Sequence, residues 1–172
     1  MLKSIASASV ALTTGLFAQD CANLGTAYGT GDDVVVNGSA PIAIGFAFPF
    51  AGGTYTDLHP STNGFFYLSN GGTPAPGGGD GTATSGELAS GSPRICALWT
   101  DLNIVAANDA AVHVYSSPAE CRITWRNAQN YGVAGNIFTV QAVLHPAGDI
   151  QFFYETGATN NSTASPAFAA GI

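Results

Sequence analysis

No stretch beyond residue 20 sustains an apolar period near 3.6, because glycine or proline interrupts almost every candidate window longer than ten residues. Glycine weakens a helix interior through backbone entropy, and proline removes a donor and clashes with the preceding turn. A chain punctuated in this way cannot build sustained helices. Short runs rich in β-branched and aromatic residues recur instead, at 34–36, 42–48, 64–69, 95–99, 111–116, 121–126, 137–145 and 150–155, with turn residues between them. The pattern predicts an all-β fold, an antiparallel β-sandwich or a partly open barrel, as a single domain over residues 19–172.

Two stretches sharpen that expectation. Residues 137–144 are followed by His145-Pro146-Ala147-Gly148-Asp149 and then by Ile150-Gln151-Phe152-Phe153-Tyr154, the order of a strand, a turn and a return strand. In Cys121-Arg122-Ile123-Thr124-Trp125-Arg126 a period of two places Cys121, Ile123 and Trp125 on a core face and Arg122, Thr124 and Arg126 on a wet one. Residues 71–92 differ in kind. They are rich in glycine, hold two prolines and no aromatic, and read as a long exposed loop. The last eight residues form an apolar run, so either a final strand closes the sheet or the sequence is cut short at its C-terminus.

The chain opens Met1-Leu2-Lys3, continues without charge to Phe17, and reaches Ala18-Gln19-Asp20, the order of a secretory signal with cleavage after residue 18. That uncharged run is shorter than the roughly 20 residues a membrane span needs. No membrane span is therefore expected once the signal is removed, and the location is extracellular or cell-surface. Four basic residues face eleven acids, a formal charge of -7, so nucleic-acid binding is excluded on charge. Export permits disulfides. With three cysteines, Cys96 and Cys121 are the favoured pair, each at the start of a strand-like run. Pairing of Cys21 with either of them stays open, as do three inert thiols.

Little in the sequence points to catalysis. His59, His113 and His145 are the only imidazoles, no Gly-x-Ser-x-Gly elbow occurs, and each histidine reads as structural or surface, with His59 in a turn before Pro60. Glu87, Glu120 and Glu155 lie on separate segments with nothing in their spacing to pair them for glycoside hydrolysis. Zinc lacks a ligand set. Calcium is the one cofactor the pattern admits, since hard cations take oxygens from Gly/Asp-rich loops. Asp101, Asn103 and Asp109 form one such loop and Gly31-Asp32-Asp33 another, although capping of turns is the commoner use of these residues. Trp99 and Trp125 read as core aromatics.

Taken in order, Phe46-Ala47-Phe48-Pro49-Phe50, Gly53-Thr54-Tyr55-Thr56, Ser61-Thr62-Asn63-Gly64-Phe65, Ala97-Leu98-Trp99-Thr100-Asp101-Leu102, Ile123-Thr124-Trp125-Arg126-Asn127, Phe138-Thr139-Val140-Gln141 and Gly148-Asp149-Ile150-Gln151-Phe152 resemble nidogen-like extracellular domains and their bacterial relatives. The resemblance implies a secreted β-rich module of matrix, adhesion and cell-surface proteins, with no catalytic residues to carry over. The expectation is a non-enzymatic module for adhesion, surface or matrix architecture, or binding. Its partner would be an extracellular protein or polysaccharide surface, or copies of itself. Two other classes stay open: a self-assembling filament or surface-layer subunit that works by strand addition, and a secreted hydrolase or its carbohydrate-binding accessory domain.

Overall fold

The computed structural model describes residues 21, 23–71, 81, 82, 84, 86, 87, 92–133, 135–155 and the backbone of 169–171. The signal expected at 1–18 and most of the loop expected at 71–92 lie outside the described residues. Twelve strands run through the described part: β1 (Thr26–Gly29), β2 (Gly31–Asp32), β3 (Ile42–Phe50), β4 (Gly53–Pro60), β5 (Phe65–Ser69), β6 (Arg94–Trp99), β7 (Leu102–Ile104), β8 (Ala111–Ser116), β9 (Cys121–Asn130), β10 (Ile137–Leu144), β11 (Ile150–Tyr154) and β12 (Ala169–Gly171).

They form two antiparallel sheets. One has five strands in the order β12-β6-β5-β4-β3. The other has seven, with β1-β8-β9-β10-β11 in line and β7 and β2 added beside β9. The barrel alternative is thereby closed in favour of an open sandwich. The expected β10–β11 hairpin is present, its turn held by His145 N–H to Asp149 O at 3.0 Å and Gly148 N–H to His145 O at 2.9 Å. The C-terminal run contains β12, which pairs with β6.

Some strands were not legible. β4 carries Thr, Asp, His and Pro with little apolar alternation, and it is recruited by a two-residue turn from β3. Both turn residues have positive φ, Ala51 at 48° and Gly52 at 79°, the requirement of a type I′ hairpin whose twist matches the strands it joins. His59 therefore sits in a strand, fully buried, and not in a turn. Conversely, residues 34–36 do not form a strand of their own: only Val35 makes a single bridge, to Ser61.

The main core lies between the sheets. Ile44, Phe48, Leu58, Phe66, Leu68 and Ile95 from the five-stranded sheet meet Val112, Val114, Ile123, Trp125, Val140 and Leu144 from the other, with Phe66 and Trp125 stacked at 6.4 Å. A second cluster, Val35, Phe65, Tyr67, Cys96 and Trp99, occupies the opposite face of β5 and β6. Four consecutive residues of β5 are consequently buried, as in a strand covered on both faces. The change of face along β6 is made by a bulge: Ala97 and Leu98 both donate to Gly64 O, and a side chain on Gly64 would collide with the Leu98 carbonyl.

Candidate functional site

Four segments meet at one end of the sandwich: 31–34, 61–64, 100–102 and 130–131. Val34 N–H donates to Thr62 Oγ1 at 3.2 Å, and Thr62 N–H returns a bond to Val34 O at 2.9 Å. Tyr131 N–H reaches Asp101 O at 2.9 Å. Beneath them Trp125 donates its indole N–H to Ser61 O at 2.7 Å, tying the loop to the core.

The hub is Asn63, which has no exposed surface. Its Nδ2 donates to Asp33 Oδ1 at 2.7 Å, its Oδ1 accepts Leu102 N–H at 2.8 Å, and its own N–H donates to Ser61 Oγ at 3.1 Å. One amide thus joins three of the four segments. It also holds Asp33 against the start of β7, which β2 flanks in the register Asp32 opposite Asn103.

This arrangement crowds carboxylates. Oxygens of Asp32, Asp33 and Asp101 all lie within 4.8 Å of one another. Partial burial, and then the charge of Asp33, raise the Asp32 carboxyl above its ordinary range; burial followed by the charges of Asp33 and Asp32 raises Asp101. Asp32 Oδ1 is shut off from solvent and meets no donor among the described residues. A donor set of this kind, all hard oxygen, suits a divalent cation such as calcium, which would relieve the repulsion. Beside it the surface turns apolar, with Tyr131 56% and Val34 38% exposed.

Of the three residues singled out for calcium, only Asp101 belongs to this cluster. Asn103 lies in the β2–β7 ladder. Asp109 caps the 106–108 turn and pairs with Arg126 at 2.8 Å, an exposed contact of little energetic weight. Sequence reasoning found both acidic loops but not their meeting, and it gave Asn63 no part in either. The signal was the polar run Ser61-Thr62-Asn63-Gly64, whose partners are 28 to 39 residues distant.

The family model described as NIDO related matches residues 9–172. The chain belongs to the nidogen-related family. No curated protein and no solved structure matches it. Nidogen-related domains are non-catalytic modules of extracellular context, and no helix among the described residues is long and apolar enough to cross a membrane.

The remaining chemistry-bearing residues of this nidogen-related sandwich are placed apart. His59 is held by Ser39 O at 3.0 Å and Ser69 Oγ at 2.9 Å. His113 lies on the outer side of β8, where burial lowers its pKa. Glu120 forms a two-pronged pair with Arg122, at 2.8 and 2.9 Å, which holds its carboxyl low. Arg122 in turn reaches Gln141 at 3.1 Å, and Gln141 donates to Thr124 at 2.7 Å. The period of two in β9 holds, but its outer face is drier than expected, since Thr124 is fully buried. A cleft of about 240 Å³ lined by Cys21, Leu24, Arg126, Asn127, Thr139 and Glu155 opens where Asn127, at φ 50°, bulges from the same strand.

The Cys96–Cys121 bond is not formed, which corrects that expectation: all three cysteines are buried and none is in a disulfide. Cys96 packs in the outer aromatic cluster and Cys121 in the core between the sheets, so the two thiols belong to different packing layers. Burial pushes each up to about 12, which leaves both without thiolate character near neutral pH.

Proposed function

We propose that this nidogen-related chain is an exported, non-enzymatic module that binds an extracellular surface through the loop end built on Asn63. The observation that carries the reading is the combination there of a hydrogen-bonded, rigid frame with three crowded carboxylates and the exposed Tyr131 and Val34. Loops held by a sheet scaffold are where binding residues concentrate, and an exposed aromatic beside charged groups is the usual anchor of a contact surface. The test uses beads coated with the purified chain, offered under flow to the cells that produce it. Coating with the Asp33→Asn, Asp101→Asn, Tyr131→Ala variant should reduce retention about tenfold, the effect of one modest anchor. Equal retention of native and variant beads, or native retention no better than bare beads, would overturn the proposal.

Calcium enters this proposal at Asp32, Asp33 and Asp101 in place of Asp101, Asn103 and Asp109. Supporting it are the orphaned Asp32 oxygen and the raised Asp32 and Asp101 carboxyls, both of which a cation would satisfy. Millimolar calcium should raise the thermal midpoint of the native chain and leave that of Asp101→Asn where it is; an equal rise in both would place the ion elsewhere.

A further inference from the structure

The three arginines of the chain are treated unequally. Arg122 is committed to Glu120 and Gln141, and Arg126 to Asp109. Arg94, the first residue of β6, meets no carboxylate and no hydrogen-bond acceptor among the described residues, and its Nε is buried without a partner. Among the described residues of a chain with eleven acids, this is the cation left over.

Its setting explains how it is tolerated. On the outer face of the five-stranded sheet its guanidinium centre stands 5.0 Å from the ring centres of Tyr67 and Trp99 and 5.9 Å from that of Phe65. These rings are buried, Tyr67 at 4% and the other two at 0% exposure, whereas Arg94 is partly exposed. The aromatic faces stabilise the cation through their quadrupoles and hold it in place. They supply no acceptor for its five N–H groups. A guanidinium held on an apolar aromatic bed, its donors unused among the described residues, is prepared for a planar anion that takes two parallel N–H bonds.

We propose that Arg94 is a receptor for a carboxylate, presented by an Asp or Glu side chain of a partner polypeptide. A single positive charge matches one carboxylate, whereas a phosphate dianion would retain unbalanced charge. A uronic acid fits less well, because the rings beneath Arg94 are already buried and offer no open face on which a sugar could stack. The site goes beyond the loop-end surface, since it lies on the outer face of the five-stranded sheet over Phe65, Tyr67 and Trp99.

The intact chain, labelled with nitrogen-15, should show one side-chain Nε–H resonance for each of the three arginines, identified through Arg122→Lys and Arg126→Lys. Titration with the α-methylamide of N-acetylglutamate, whose one carboxylate is that of the side chain, at constant ionic strength should move the Arg94 signal to a plateau, half-complete on the order of 10 mM, while the other two stay still. Arg94→Lys should weaken the response seen in tryptophan emission at least fivefold, since it keeps the charge and loses the fork. An Arg94 resonance that does not move, or drifts without a plateau, would overturn the proposal on the native protein alone, whether or not the variant folds. Saturation by glucuronate at lower concentration than by the glutamate methylamide would overturn the polypeptide assignment.

Discussion

Replacing Asn63 by Asp alters one group, NH2 to O, in a side chain with no exposed surface. The bond from Leu102 N–H to Oδ1 survives. The 2.7 Å bond to Asp33 becomes two carboxylate oxygens face to face, with Asp32 and Asp101 close by. Two carboxylates at that separation cannot both stay ionised, so the folded state must take up a proton that the unfolded chain leaves in solution at neutral pH. Holding a carboxyl of ordinary pKa, about 4, protonated at pH 7 costs about 1.4 kcal/mol per pH unit, or roughly 4 kcal/mol. Because the folded state binds the extra proton, stability falls as pH rises, and the penalty should shrink by about 1.4 kcal/mol for each unit from pH 7 down to pH 5. Asn63→Ala fails differently. It strands the buried Leu102 N–H, at about 1–3 kcal/mol, while water can replace the bond lost by the exposed Asp33, and it adds no titrating group, so its penalty should vary little over the same range. Urea unfolding of both variants and the native chain at several pH values between 5 and 8 measures this directly. Parallel lines for the two variants would refute the reasoning, because they would mean that Asn63 only fills space.

Trp125→Phe should cost about 2–4 kcal/mol, from the stranded Ser61 carbonyl and the volume lost beside Phe66, and lower the thermal midpoint by roughly 5–15 °C in calorimetry; a change under about 2 °C would deny the indole bond its role. Ala51→Asn should stabilise the chain by about 0.5–1 kcal/mol, since asparagine tolerates the left-handed conformation that alanine is forced into at φ 48°, and an unchanged urea midpoint would argue against that strain.

The class of fold was legible because it depends on local chemistry. Glycine and proline forbid long helices, and β-branched and aromatic runs with period-two faces can bury themselves only as sheets; the inward set Cys121, Ile123 and Trp125 and the hairpin from Ile137 to Tyr154 followed from that alone. The same logic misread β4, where the decisive influence is the neighbour across a tight turn, and it left Thr124 in water, because a period of two assigns faces and says nothing of what covers them. It paired Cys96 with Cys121 from spacing, whereas a bond requires a shared layer, and the layer of Cys96 is set by which face of a doubly covered sheet it takes. Only the tertiary structure could bring Asp32 and Asp33 to Asp101, or set Arg94 on three aromatic rings with no acid beside it among the described residues. Those juxtapositions arise from strands paired across tens of residues, and a local pattern carries no record of which distant strand will be the neighbour.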